Sequence, residues 1–346
     1  MSPEVSKLDQ WVLTKIETEY RDDIQLLIGH NTFRLEEDAA LASFSFFFPA
    51  TGRGYQLAKT FIINGAGYDL FPMSWERIER ITELDEDNAP CVGNATVLYA
   101  RSEEDRQRFL DLQARLRDHL DDPAFMLNKA LEKLTVAMEL YRTMLFEDVP
   151  SKVRKAAGNI LNYLAIAVAY SNRTFYQYGH RQYIRKLSEM ESIPDDFIRL
   201  YRAVIQAETV EETRILCHRI ITTTAKFLDA KKKRPEKRWS EPDYHELAGW
   251  YEELSYAWRE IYYWCDRSEP ENAFMRGCFL QGELDIVSEE FALEEFDILG
   301  AFTAGDLTGY RQRAEAVQNT VISLIEDSGV TIEKYDTIEQ FLEKNS

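Results

Sequence analysis

The sequence predicts an α+β protein, with a small mixed β-sheet domain at the N-terminal end and a large all-helical domain after it. Three observations carry this expectation. Short apolar runs of strand character are confined to the segment before Asp122. An Asn-Gly pair, Asn64-Gly65, lies between two of those runs. From Asp122-Pro123 onward only helical periodicity remains. Strands first and helices afterwards is the ordering of a segregated α+β chain, not of alternating βα units.

Taken in order, Val5, Leu8, Trp11, Val12, Ile16 and Tyr20 recur at helical spacing, so an amphipathic helix over 5–22 opens the chain. Ile24 to Ile28 is a short apolar run that stops at Gly29, and it predicts a strand. Leu41 to Phe48 alternates Ser and Phe before Pro49, which predicts a strand buried on at least one face. Two further strands, 60–63 and 68–71, flank Asn64-Gly65-Ala66-Gly67, a hairpin signal because the favoured two-residue turn needs positive φ. A helix over 75–84, a strand over 95–99 and a helix opened by Ser102-Glu103-Glu104-Asp105 complete this part. The helical periodicity then predicts segments 124–146, 151–178, 180–190, 194–206, 210–230, 241–266, 270–283, 286–303 and 306–328. The aromatic stretch Tyr244–Trp264 carries rings on more than one face, as a helix buried among neighbours does. The basic run Lys231–Lys237 contains Pro235 and suits a solvated linker, which places domains at 1–121, 122–232 and 238–346.

Composition narrows the function classes. A content of 45% hydrophobic and 29% charged residues is globular. The net charge of −19 repels polynucleotide backbones, so no nucleic-acid partner is expected. A single nucleotide, held by a local basic pocket or a metal ion, remains compatible with that field. The cysteines Cys91, Cys217, Cys265 and Cys278 have no metal-ligand spacing and suit reduced thiols. The opening MSPEVSKLDQWV lacks the pattern of a signal segment, and no apolar run reaches the ~18 residues of a membrane span. A cytoplasmic protein with no membrane partner is expected.

Phosphoryl and nucleotidyl transfer on a small sheet usually requires carboxylates that converge on divalent metal ions. Two of them at i and i+2 of one strand share a face, and a neighbouring strand supplies a third. The segment from Leu26 to Trp75 resembles the nucleotidyltransferase superfamily, which includes the aminoglycoside and lincosamide adenylyltransferases. Gly29-His30 falls where that family has a strand ending in Gly-Ser. Ser43-Phe44-Ser45 falls at its Asp-x-Asp, and Asp69, in GYDLFPMSW, at its third carboxylate. The helical tail, with AYSNRTFYQYG, resembles the acceptor-binding domains attached to such enzymes.

The resemblance implies a nucleoside triphosphate and a small hydroxylated acceptor as ligands, with Mg²⁺ as the metal. Asp69 is then the catalytic and metal-binding candidate. Gly29, His30, Ser43, Ser45, Arg53 and Lys59 are the nucleotide-binding candidates, and Asn172, Arg173 and Tyr176, beside His180, are the acceptor-binding ones. Neutral Ser43 and Ser45 cannot supply the charge that holds two Mg²⁺ ions, so the implied activity is reduced or lost. Glu36, Glu37 and Asp38 are either replacement carboxylates or a solvated acidic loop. The reading from another class is a non-catalytic helical scaffold that binds a partner or forms a homodimer through its Tyr- and Trp-rich tail.

Overall fold

The computed structural model describes residues 7–30, 44–63, 65–232, 243–291 and 293–345. The chain divides into two compact units, Met1–Lys233 and Arg234–Ser346. The first unit begins α1 (Lys7–Glu19), β1 (Ile24–His30), β2 (Phe44–Pro49), a 3₁₀ turn (Arg53–Leu57), β3 (Lys59–Ile63) and β4 (Ala66–Pro72). It continues with α2 (Trp75–Thr82), α3 (Pro90–Gly93), β5 (Ala95–Ala100), α4 (Glu103–Asp121), α5 (Pro123–Met144) and α6 (Pro150–Ser171). Helices α7 (Tyr183–Glu189), α8 (Phe197–Gln206) and α9 (Val210–Asp229) close it. The second unit holds α10 (Tyr244–Asp266), α11 (Pro270–Glu290), α12 (Thr308–Asp327) and α13 (Ile338–Lys344). The α+β architecture, a small mixed sheet followed by helices, is therefore the one the sequence predicts.

The five strands run in the order β3-β4-β2-β1-β5. β2 and β4 pair parallel and the remaining neighbours antiparallel. The β3–β4 hairpin turns at Gly65, whose φ of 80° is open to glycine and strained for other residues. Strand pleating sorts the apolar residues onto two sides. Leu26, Ile28, Phe46 and Phe48 join the core built by α2 and the helices from α4 to α9. Ile24, Leu27, Phe47 and Leu70 instead meet Val12 and Ile16 of α1. The sheet and the helices as far as Leu228 thus share one continuous core.

Local chemistry places the helix starts. Ser102 accepts the Asp105 amide at 3.1 Å and Ser74 the Arg77 amide at 3.2 Å. Asp122 accepts the amides of Ala124 and Phe125, with Pro123 at the first helical position, where its missing N–H costs nothing. Trp75 stacks on Phe48 with ring centroids 4.3 Å apart, and its indole N–H donates to Gln25 Oε1 at 2.7 Å.

Several element boundaries differ from expectation. The helix expected over 151–178 stops at Ser171, because Arg173 takes a left-handed φ of 56° and turns the chain. The segment expected over 180–190 begins as a 3₁₀ turn, Gly179–Gln182, before α7. The two helices expected over 270–283 and 286–303 are one helix, α11, because Leu280, Leu284 and Val287 form an unbroken buried stripe. The chain after it is held by Gln281, which donates to Phe296 O at 2.6 Å and accepts from the Ile298 amide at 2.9 Å. The short helices α3 and α13 were not expected. The linker run Lys231–Lys237 falls mostly outside the described residues.

The second unit has its own core, centred on Trp258, Leu280, Tyr310 and Val321. The aromatic helix α10 is buried at Tyr251 and Trp258 but leaves Tyr256 and Tyr263 exposed. Among the described residues no helix is long and apolar enough to cross a membrane.

Two glycines of α11 make opposite predictions. A Cβ at Gly277 collides with the Tyr310 hydroxyl, which itself donates to Ala273 O at 3.2 Å. A Cβ at Gly282 meets nothing within 4 Å. Gly282→Ala is expected to stabilise by about 0.5–1 kcal/mol through helix propensity. Gly277→Ala is expected to destabilise by about 1–3 kcal/mol through overpacking. Urea unfolding of the two variants checks both signs.

Candidate functional site

The strand on which the sequence resemblance places the Asp-x-Asp position is β2, and its residues lie on both sides of the sheet. Ser45 shares the α1 side with Phe47. There its hydroxyl donates to Asp9 Oδ1 at 2.7 Å, with both residues buried. Asp9 lies in the first turn of α1, where the free amides of a helix start favour a carboxylate. Asp9, Val12 and Ile16 are the buried stripe of that helix, so the carboxylate is carried onto the sheet by the same face that packs it. The space left beside the pair is about 30 Å³, bounded by residues that include Leu8, Trp11, Phe61 and Leu70. A cavity of that size has room for about one water and none for a triphosphate.

Asp69 also borders this cavity, but from the other side of the pleat. In the parallel pairing Phe71 lies beside Phe46, so Asp69, two residues earlier, belongs to the face of Phe46 and not to that of Ser45. Its carboxylate is exposed and accepts a hydrogen bond from Thr60 Oγ1 of the neighbouring strand at 2.9 Å. Gly29 pairs with Ser45 on one side and Thr96 on the other, inside the sheet, where a Cβ would collide with Leu98. His30 ends β1, and its backbone pairs with Phe44 and Ala95. Ser43 and the Glu36, Glu37, Asp38 segment lie outside the described residues.

The two candidate cations sit apart from that face. Arg53 Nη1 donates to Asp23 Oδ2 at 3.0 Å, with its guanidinium over the Tyr20 ring at 5.2 Å. Asp23 also accepts the Thr51 hydroxyl, while its carbonyl accepts the Ala50 amide at 2.7 Å. This clasp ties the start of β1 to the exit of β2. Lys59 is exposed at the start of β3, an edge strand where a charged side chain discourages pairing with another chain.

These placements do not fit a divalent metal ion. Asp9 is engaged by Ser45 and Asp69 by Thr60, from opposite faces. Among the described residues no group of three or more His, Cys, Asp or Glu is arranged to hold a metal ion.

The acceptor candidates separate as well. Asn172 closes α6: its amide donates to Val168 O at 2.8 Å and to Ser192 O at 2.6 Å, and its carbonyl accepts the Ser192 amide at 3.1 Å. Arg173 and His180 are exposed. Tyr176 is buried, with its hydroxyl donating to Ala165 O at 3.2 Å and its ring on the wall of a cleft of about 210 Å³. That cleft lies between residues 87–91 and 175–183, over the end of α6. Burial pushes the Cys91 thiol there up to about 11 and raises the phenols of Tyr170, Tyr176 and Tyr183, so all of them are neutral donors near pH 7.

Sequence reasoning passed over Asp9, Asp23 and Tyr170. A signal existed for Asp9, which falls on the apolar stripe with Val12 and Ile16, where an acidic residue needs a partner. Asp23 and Tyr170 carry no comparable local signal, because their partners and surroundings come from distant segments.

No protein-family model matches the sequence, and no curated protein does. Among solved structures, a nucleotidyltransferase-like protein from Exiguobacterium sibiricum is 14% identical, with a TM-score of 0.35. The match covers 64% of this chain and 75% of that one. At that score the likeness carries no argument about site or chemistry.

The placements separate two aspartates by their energetics. Asp69→Asn, on an exposed carboxylate, is expected to change stability by less than about 0.5 kcal/mol. Asp23→Ala removes the acceptor of two side-chain bonds and is expected to cost about 1.5–3 kcal/mol. Denaturant midpoints of the two variants provide the comparison.

Proposed function

We propose that this protein is nucleotidyltransferase-like in its sheet and performs no two-metal nucleotidyl transfer, acting as a binding protein. The observation that carries the reading is the buried Ser45–Asp9 hydrogen bond. In the register of the resemblance, Ser45 stands at a metal carboxylate, and here its hydroxyl faces a helix instead of an open cleft. Two-metal catalysis depends on charges preorganised around the transferring phosphoryl group, and that stabilisation is usually its largest contribution. The placement of Asp69 on the opposite face and the engagement of Arg53 by Asp23 support the same reading. Any nucleoside triphosphate or small hydroxylated acceptor, the ligands implied by the resemblance, is then a bound molecule and not a reactant, held away from the 30 Å³ space beside Ser45.

Calorimetric titration with ATP, CTP and GTP, with and without Mg²⁺, tests this beside a pyrophosphate-release assay using a hydroxylated aminoglycoside. The expected outcome is no pyrophosphate and no Mg²⁺-dependent gain in nucleotide affinity. Metal-dependent binding, or pyrophosphate release, contradicts the reading.

The partner-binding alternative is favoured by one surface of the second unit. Met275, Phe279 and Ile286 lie at helical spacing along α11 and are 67%, 49% and 53% exposed. An apolar stripe of this kind suits self-association, with a second copy of the chain as the occupant. Light scattering is expected to show a dimer that Met275→Asp with Phe279→Asp converts to a monomer. A wild-type protein that stays monomeric contradicts this alternative.

A further inference from the structure

The 210 Å³ cleft over the end of α6 has a feature that the closed face of β2 does not explain. Three buried tyrosines border it, and two of their hydroxyls are committed within the protein. Tyr176 donates to Ala165 O at 3.2 Å and Tyr183 to Asn162 Oδ1 at 2.6 Å. Their rings, with centroids 4.2 Å apart, are what these two residues offer to the cleft. The third, Tyr170, is only 2% exposed and lines the same space. Unlike the other two, its hydroxyl makes no hydrogen bond to a described residue. Tyr170 lines the cleft beside these rings, so an acceptor on a ligand held there can take the proton of its hydroxyl.

The remaining lining restricts the ligand. Phe175, Tyr176 and Tyr183 present ring surface, which suits a planar molecule. Neither charged residue of the lining is free to recruit an ion: Asp87 is paired with Lys133 Nζ at 2.6 Å, and Arg181, exposed at the rim, has a partner as well. The volume lies below the roughly 300–1,000 Å³ of drug-sized sites, which limits the occupant to one or two fused rings. The Tyr170 phenol is held protonated by its burial and donates most favourably to a carbonyl oxygen or a ring nitrogen.

We infer that this cleft binds a small, uncharged, planar heterocycle that offers a carbonyl or ring-nitrogen acceptor to the Tyr170 hydroxyl. The site lies on the bundle side of the first unit and stands independently of the Ser45–Asp9 closure, so the Mg²⁺–nucleotide titration leaves it undecided.

The experiment uses the full chain with nicotinamide and adenine as neutral planar probes, benzoate as an anionic ring and sorbitol as a non-planar polyol. Saturation-transfer NMR and calorimetry read binding. At least one neutral heterocycle is expected to bind with a dissociation constant below about 1 mM, a range open to ligands of this size. Tyr170→Phe is expected to weaken that binding about three- to tenfold, the worth of one hydrogen bond. The same variant is expected to keep or raise the thermal midpoint, because its hydroxyl has no partner to lose. Asn88→Trp, at the exposed rim, is expected to abolish binding by filling the mouth, and it serves as a second variant should Tyr170→Phe fail to fold. The inference is overturned if neither heterocycle binds, if benzoate or sorbitol binds more tightly than both, or if either variant binds like the wild type.

Discussion

The structure depends on the two-sided burial of β2. Phe46 and Phe48 point one way into the helical bundle, while Ser45 and Phe47 point the other way against α1. Burying each such Phe contributes roughly 1.5–3 kcal/mol, so a one-residue slip would put apolar rings where Ser45 sits and leave the bundle core unfilled. Register is therefore set by burial on both faces at once. The parallel pairing with β4, Phe46 beside Phe71 and Phe47 beside Pro72, carries that register outward into the hairpin.

The same constraint governs the chemistry available to the sheet. A strand face that is to hold metal ions must stay open to solvent and ligand, and here that face is where α1 packs. Val12 and Ile16 supply the apolar contact, and Asp9 supplies the one acceptor that the Ser45 hydroxyl needs. A polar pair in such a position specifies how the helix lies on the sheet, because sliding it would leave both groups buried without partners. The cleft over α6 belongs to the other side of the sheet. There the floor is formed by the end of a bundle helix and the start of α3, with neutral donors and rings, and the charged residues Asp87 and Arg181 are exposed.

Much of the fold was legible because the signals are local. Serine caps at Ser74 and Ser102, the Asp122-Pro123 start, the turn at Gly65 and the Ser/Phe alternation of β2 each act within a few residues of the element they define. What could not be read depends on distant contacts. The side of the pleat on which Asp69 falls follows from its pairing with β3 and β2, and a motif spacing does not contain that information. The end of α6 at Ser171 reflects Asn172 gripping the backbone at Ser192, twenty residues away. The continuity of α11 reflects the core of the second unit, which accepts Leu284 and Val287 on one stripe. Of the candidate site, the sequence pointed to Ser45 and Asp69, but the partner that engages Ser45 is in the first helix, thirty-six residues earlier.

The central claim is that Asp9 and Ser45 are coupled in the folded state and thereby hold α1 over the face of β2. A double-mutant cycle with Asp9→Ala, Ser45→Ala and the double variant, read by urea unfolding, measures that coupling directly. A hydrogen bond to a buried carboxylate predicts a coupling energy of about 1.5–3 kcal/mol. Additive effects of the two substitutions, with no coupling, would contradict the account.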